Sequence, residues 1–402
     1  MSCPILFYSL GVILLPLSLL AATDHPVKCS QAQPYHGPAL RGPVALPSTE
    51  ELAVFPVGKF PPALEENLSA ALALAHSKTQ APVITAAVAV PGGGFWSATR
   101  TLDPLAVAPE YLYWASAGKA FTSVLIHQLI EEGKLTLTTP IARWFPDYPN
   151  AEVITIEHLL THTSGIFSFN HDLKFRAQAR SHTPAELIAF AKKHGNSFCP
   201  GELWSYSNTG FLMLGIIVEK LDGCSYADAV DARIVRRLGL AHTKALTSIT
   251  DRAEIAQPHP TDPVETKVAV AFNLPYGAGC IVASAEDMVR FWHGLLAGKL
   301  LSPATVTGMF STLYPMFDQR VSFYGRGVMV SDIPDQFADV WIGHSGGTPG
   351  IKAEIIYSQK THAFVAVALT SDGSAQSTVN LLLKTLRGEP LPSSEPTGAK
   401  PK

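Results

Sequence analysis

A serine and a lysine at the start of a helical segment are the residues of this chain best placed to do chemistry. Ser116-Ala117-Gly118-Lys119 is the chain's single Ser-x-x-Lys, and the apolar positions after it predict a helix over residues 116–132. Side chains three positions apart on a helix are neighbours, so the hydroxyl and the amine can touch. Serine becomes a nucleophile when a base takes its proton, and lysine is such a base when burial or a nearby positive charge lowers its pKa. The helix N-terminus adds N–H groups at the same place, so one turn could hold a nucleophile, a base and an anion stabiliser.

Two residues further along could help this pair to move protons. Tyr206 and Asn208 stand two positions apart, just ahead of an apolar helix predicted over residues 209–222. A phenol beside an amine can relay a proton, and an amide can orient the lysine and a substrate carbonyl. A second Tyr-x-Asn, at residues 148–150, lies in a proline-rich connector, where we predict a turn.

A glycine-rich segment closes one of the last predicted strands. It reads His344-Ser345-Gly346-Gly347. Glycines at the end of an edge strand let a ligand backbone lie alongside and pair with it. A backbone N–H here could complete an oxyanion hole with the N–H of Ser116. Taken alone, the segment also fits a plain hairpin end with an exposed histidine.

Order and spacing add weight to the three motifs as a set. The first motif precedes the second by 90 residues, and the second precedes the third by 138. The set resembles the signature of the penicillin-recognising serine hydrolases, the β-lactamase-related superfamily of class C β-lactamases, D-alanyl-D-alanine carboxypeptidases and related esterases. A Leu-Leu-x-His-x-Ser-Gly segment at residues 159–165 is similar to the class C and carboxypeptidase branch, and the resemblance covers about residues 63–387. The motifs are, in order, Ser116-x-x-Lys119, Tyr206-x-Asn208 and His344-x-Gly346.

The resemblance implies an acyl-enzyme mechanism with defined roles. Ser116 attacks a carbonyl, and Lys119 acts as general base with the help of Tyr206, which also passes a proton to the leaving group. Asn208 holds the lysine and the acyl amide. The N–H groups of Ser116 and Gly347 form the oxyanion hole. The resemblance implies no metal and no organic cofactor. The remaining substrate-binding residues are His344 and Gly346.

The third motif bears on the substrate. Class C β-lactamases usually have Lys-Thr-Gly there, and a lysine anchors a substrate carboxylate as a permanent cation, whereas His344 does so only when it is protonated. We therefore expect a D-alanyl-D-alanine carboxypeptidase-like enzyme or a D-amino-acid peptidase, acting on a small molecule or a peptide such as cell-wall peptide. The alternatives are an esterase or amidase of small acyl substrates, then a β-lactamase, and last a non-catalytic binding protein with the same fold.

Composition and the N-terminal residues bear on the compartment. The chain is 47% hydrophobic and 16% charged with a net charge of −3, and it has no basic run, which excludes a nucleic-acid-binding surface. Residues 1–22 are apolar and uncharged, which predicts a cleaved secretory leader or, as the alternative, an N-terminal membrane anchor. We expect an exported protein, periplasmic or secreted, whose only membrane association is through this segment.

The pattern of predicted elements indicates an α+β fold. Two early strands, a mostly helical middle and four late strands predict an antiparallel sheet flanked by helices, with a helical domain inserted into it. The sheet part takes about residues 63–115 and 300–387, and the helical part about residues 116–300. This is the β-lactamase/transpeptidase-like architecture that the resemblance implies. A proline-rich extended arm precedes it at residues 23–62, and a disordered tail follows at residues 388–402.

The cysteines and two histidines allow other chemistry. Beyond the leader there are four cysteines, which permit three complete disulfide pairings. A direct Cys199–Cys224 bridge is disfavoured, because a helix of about 14 residues separates them, and Cys280 is predicted to be a buried free thiol. His158 and His162 stand at i and i+4, but the glutamate that a zinc-protease helix needs is absent, so we predict structural roles for both.

Overall fold

The computed structural model describes residues 27–103, 105, 107–176, 182–246, 255–261, 276–317, 320–334 and 338–392. The predicted leader at residues 1–22 and most of the predicted tail lie outside these ranges. Across the described residues, no helix combines the length and the apolar character needed to cross a bilayer.

An eight-stranded sheet forms the centre of the fold. Its spatial order is β2-β1-β11-β10-β9-β8-β7-β6, and every neighbouring pair is antiparallel. A second sheet has the order β3-β5-β4. The strands are β1 (Val83–Val90), β2 (Gly94–Thr101), β3 (Leu112–Tyr113), β4 (Thr243–Ala245), β5 (Ile281–Ala283), β6 (Tyr314–Pro315), β7 (Ser322–Tyr324), β8 (Met329–Ile333), β9 (Asp339–Thr348), β10 (Ile351–Ser358) and β11 (Phe364–Leu369).

Helices cover both faces of the large sheet, which confirms the predicted α+β class. They are α1 (Pro62–Thr79), α2 (Lys119–Glu131), α3 (Ile156–Leu160), α4 (Leu173–Arg176), α5 (Pro184–His194), α6 (Asn208–Asp222), α7 (Tyr226–Val230), α8 (Arg236–Leu238), α9 (Ala285–Leu296), α10 (Pro303–Met309) and α11 (Ala375–Leu386). Short 3₁₀ turns lie at Ala115–Gly118, Ile141–Arg143, Phe169–His171 and Tyr276–Ala278, and a π turn at Asp231–Val235 joins α7 to α8.

The core has two parts, one on each face of the large sheet. Helices α1 and α11 pack on one face, and α2 and α9 lie in the larger part on the other. Along β1, alternate side chains serve the two parts, as the period of two in a strand requires. Helix α2 is buried on every side from Lys119 to Leu129. A helix surrounded in this way places a lysine at its first turn inside the protein.

Both sheets differ in part from the sequence prediction. The segment expected as one strand over residues 324–330 is split between β7 and β8, with Gly325-Arg326-Gly327 between them. Arg326 turns away from the sheet to pair with Glu157 at 2.6 Å, and the Gly327 N–H donates to the Leu160 carbonyl at 3.0 Å. The small β3-β5-β4 sheet was not predicted, because strands of two or three residues are too short to show a period of two.

The described part of the N-terminal arm is fixed to the rest of the protein at several points. A disulfide joins Cys29 to Cys199 with 5.7 Å between their Cα atoms. The Gln33 N–H donates to the Pro200 carbonyl, and the His36 N–H donates to the Glu202 carbonyl, each at 2.8 Å. Further on, the Arg41 N–H donates to the Leu313 carbonyl at 3.0 Å, and its guanidinium pairs with Asp332 at 2.8 Å. Of the other cysteines, Cys224 is exposed and free, and Cys280 is buried and free, as predicted.

Candidate active site

A tight turn carries Ser116 into α2. The helix predicted over residues 116–132 begins as a 3₁₀ turn at Ala115–Gly118 and becomes α-helical at Lys119. Ala115 has a φ of +46°, in the left-handed region that L residues rarely adopt. Gly279, with a φ of +146°, packs against the Ala115 carbonyl so closely that a Cβ there would lie 2.4 Å from that oxygen. The surrounding chain therefore holds the turn in a conformation that exposes Ser116 beside the helix N-terminus.

Strand β9 supports this turn from the other side. A Cβ on Gly346 would lie 2.1 Å from the Trp114 carbonyl oxygen and 3.1 Å from the backbone nitrogen of Ser116. Only glycine permits such a close approach of two backbones. The third motif is thus in contact with the first.

The Lys119 amine has the surroundings of a base. Its side chain is fully buried, and its Nζ lies 3.1 Å from Ser116 Oγ, 2.7 Å from Asn208 Oδ1 and 2.6 Å from the Ala278 carbonyl oxygen. Burial holds the pKa of this amine well below its ordinary value, because the charged form loses hydration. A neutral amine has two N–H groups and one lone pair. When the two N–H groups donate to the two carbonyl oxygens, the lone pair faces the Ser116 hydroxyl and can accept its proton.

Tyr206 lies against the same amine. Its ring centroid is 4.8 Å from Lys119 Nζ. Burial raises the pKa of the phenol, and the nearby Ser116 hydroxyl lowers it in part, so the phenol keeps its proton at neutral pH. The Tyr206 hydroxyl is buried and has no partner with full hydrogen-bond geometry among the described residues. It is therefore free to bond to a reacting group.

His162 holds the Tyr206 ring in place. The two ring centroids are 4.1 Å apart, and His162 Nδ1 accepts from the Ser207 N–H at 3.1 Å. Burial, with Lys119 and His344 nearby, holds the pKa of His162 well below its ordinary value, so the ring is neutral. His158 instead closes a capping box with Thr155 at the start of α3. Both histidines have structural surroundings, as predicted.

Asn208 begins α6 and is oriented by two residues that the sequence did not reveal. Its Nδ2 donates to Asn170 Oδ1 at 2.8 Å, and its backbone N–H donates to Ser168 Oγ at 2.9 Å. The Ser168 hydroxyl also donates to Asn170 Oδ1, at 2.6 Å. Because the amide nitrogen is committed to Asn170, the amide oxygen faces Lys119. Both new residues follow the Leu-Leu-x-His-x-Ser-Gly segment closely, which was the one sequence signal that could have found them.

His344 lies beneath the site rather than on its surface. The ring is fully buried. Its Nδ1 donates to the Ser345 carbonyl at 2.6 Å, which leaves Nε2 to accept from the Tyr324 hydroxyl at 3.1 Å. Burial is the largest cause that lowers the pKa of His344, to about 3. At neutral pH this histidine carries no charge, and both of its ring nitrogens are occupied.

The end of β9 has an open edge beside Ser116. Strand β8 pairs with β9 only as far as Gly343, while β10 pairs with it to Thr348. The Ser345 N–H points to the β8 side, towards the Met329 sulfur at 3.5 Å. Backbone direction alternates along a strand, so the Gly347 N–H points to the same open edge. It can converge with the Ser116 N–H on one oxygen.

Similarity to known proteins agrees with this geometry. The protein family described as Beta-lactamase matches residues 73–386, which is most of the chain. The chain belongs to the beta-lactamase family. The site brings together a serine hydroxyl, a buried amine and a phenol, which are the groups that serine hydrolysis requires.

The proteins to which this chain is similar carry names that indicate different activities. Two penicillin-binding protein relatives from Bacillus subtilis (strain 168) are 30% and 31% identical over 60% and 54% of this chain, and the chain spans about half of their length, 56% and 53%. Esterase EstB of Burkholderia gladioli is 28% identical over 44% of this chain and 49% of its own. The crystal structure of a D-stereospecific amidohydrolase from Streptomyces sp. has a TM-score of 0.65 at 26% identity, covering 79% of this chain and 97% of that one.

The contact at Gly346 gives a first test of this beta-lactamase-family site. We expect Gly346→Ala to lower kcat by about 10²-fold or more, because the new methyl group pushes β9 away from the Trp114 carbonyl and moves an oxyanion donor. The measurement is steady-state hydrolysis of a p-nitrophenyl ester. Gly42→Ala is the matched control, since a Cβ there meets no atom within 4 Å. Equal rates for the two variants would contradict the assignment.

Proposed function

We propose that the protein is a serine hydrolase that cleaves esters or amides of small acyl groups, with D-amino acyl groups among them, through an acyl-enzyme at Ser116. The observation that carries the proposal is that His344 is neutral and that each of its ring nitrogens already makes a hydrogen bond. A carboxypeptidase site needs a positive group for the substrate's free carboxylate, and a histidine with a pKa of about 3 does not supply one. Substrates without that carboxylate therefore fit the third motif better.

Acylation uses the neutral form of the Lys119 amine, which burial favours by lowering its pKa. Neutral Lys119 takes the proton of Ser116 as Oγ attacks the acyl carbon, and the N–H groups of Ser116 and Gly347 hold the oxyanion. Tyr206 then gives its proton to the departing oxygen or nitrogen, the bond to the leaving group breaks, and the phenol regains a proton from Lys119. In deacylation, water takes the place of the leaving group and the same groups return the protons.

The relatives support hydrolysis but differ in substrate. An esterase relative and the amidohydrolase structure agree with an ester or amide substrate. The penicillin-binding relatives keep the D-alanyl-D-alanine carboxypeptidase-like or D-amino-acid peptidase activity as the second candidate. The two candidates differ in whether the site accepts a free carboxylate next to the scissile bond.

One matched pair of substrates separates these candidates. N-acetyl-D-alanyl-D-alanine and its C-terminal amide share the scissile bond and differ in the carboxylate. We expect kcat/KM for the amide to be at least about tenfold higher, because the carboxylate loses hydration without gaining a cation. Faster cleavage of the free acid would overturn the proposal in favour of the carboxypeptidase. Mass spectrometry after incubation with a penicillin gives a second readout of acylation at Ser116.

We also propose that the protein is exported. The Cys29–Cys199 disulfide supports this location, because such bonds persist in the periplasm and outside the cell and are rare in the cytosol.

A further inference from the structure

The rings of Trp204, Tyr206 and Phe317 form a cluster of three. The Trp204 and Phe317 ring centroids are 5.3 Å apart at an interplanar angle of 90°, and those of Tyr206 and Phe317 are 6.4 Å apart. Trp204 and Tyr206 are 6.3 Å apart, so each ring is within contact range of the other two. We call these three residues the aromatic cluster.

Phe317 is the exposed member of the aromatic cluster. Its side chain is 64% exposed, and its φ of +51° lies in the left-handed region. A bulky residue in that conformation is strained, and an exposed phenyl ring leaves apolar surface in water. Among the described residues, the ring contacts of Phe317 are those with Trp204 and Tyr206. A ligand that covers the ring would remove apolar surface from water at this position.

The segments that carry Trp204 and Phe317 are held by contacts outside the site. Trp204 follows the segment that the Cys29–Cys199 disulfide and the backbone bonds of the arm hold in place. Phe317 follows β6, where the Tyr35 ring packs edge-on against Tyr314 with 5.0 Å between centroids. The segments before Trp204 and Phe317 both contact the same stretch of the arm, which keeps their rings at a set spacing.

We propose that the aromatic cluster is a subsite for an apolar, preferably aromatic, leaving group. The proposal rests on the proposed function, in which Tyr206 gives its proton to the leaving atom. That atom must come within hydrogen-bond reach of the Tyr206 hydroxyl. The part of the leaving group that extends beyond it then lies against Trp204 and Phe317. The favoured substrates are esters or amides whose alcohol or amine carries a ring or a branched apolar chain.

Two esters with one acyl group test the subsite. The methyl and benzyl esters of N-acetyl-D-alanine release alcohols of similar acidity, so they differ mainly in the ring. We expect the wild type to favour the benzyl ester. In Phe317→Ala, kcat/KM for the benzyl ester should fall about tenfold and that for the methyl ester should stay within about twofold. Phe317→Leu should restore part of the loss, since it keeps an apolar contact.

The control and the outcomes separate the subsite from the proposed function. Val57→Ala truncates a side chain that is 77% exposed outside the site, and it should leave both rates unchanged. Equal losses for the two esters in Phe317→Ala, or no loss for either, would overturn the subsite while the hydrolase assignment stands. Failure of the wild type to cleave either ester would overturn the proposed function, and the subsite with it.

Discussion

Alanine at position 116 should abolish hydrolysis, with kcat reduced by roughly 10⁴-fold to 10⁶-fold. The Ser116 oxygen forms the acyl bond, and among the described residues Ser116 has the one hydroxyl with a hydrogen bond to the Lys119 amine. The fold should survive, because the substitution removes one partly buried hydrogen bond, between Ser116 Oγ and Lys119 Nζ, worth about 1 kcal/mol. The measurements are ester turnover, covalent labelling by a penicillin followed by mass spectrometry, and thermal unfolding.

Ser97→Ala is the matched control, because Ser97 is an exposed serine on β2. It should keep the full rate and the full label. Labelling that persists in Ser116→Ala would show that another residue is acylated, and the mechanism proposed for this site would then be wrong.

Removal of the Lys119 amine should be the next most damaging change. We expect Lys119→Met to lower kcat/KM by about 10²-fold to 10⁴-fold, the usual contribution of a general base. Lys119→Arg should fail as well, because a guanidinium stays charged and cannot take a proton from Ser116. Lys134→Met, on the surface, is the control and should retain activity. Activity of Lys119→Met within tenfold of the wild type would exclude this amine as the base.

The pH dependence gives the same residue a second readout. The neutral amine is the active form, so kcat/KM should rise with pH as Lys119 loses its proton. Because burial lowers its pKa, the rise should be complete well below pH 10.5, the ordinary value for lysine. In Lys119→Met this limb should disappear from the pH profile. A limb that is unchanged in the variant would assign the titration to another group.

The parts of the site that the sequence predicted are those carried by short motifs. Ser116 and Lys119 are three positions apart on one turn, so local geometry brings them together. Tyr206 and Asn208 come from an N-cap, where Ser207 accepts from the Gly210 N–H and fixes the start of α6. Such local geometry can be predicted from sequence because it depends on a few neighbouring residues.

The parts that the sequence did not predict depend on distant contacts. Asn170 orients Asn208 across 38 positions, and Tyr324 bonds to His344 across 20. The burial of His344 follows from its register on β9, where it faces the same side as Gly346 and packs towards the core. A strand pattern can show that one face is buried, but it does not show which face meets the nucleophile.

The arm that crosses the outside of the molecule changes where the folded unit begins. The match to the family starts at residue 73, yet backbone groups of residues 33, 36 and 41 bond to two segments inside the matched region, at residues 200–202 and at Leu313. A truncated protein that began at the family boundary would leave the carbonyl groups of Pro200, Glu202 and Leu313 without these donors. It would also lose the covalent link that steadies the loop before Trp204. The minimal unit for expression and engineering therefore includes the chain from Cys29 onwards.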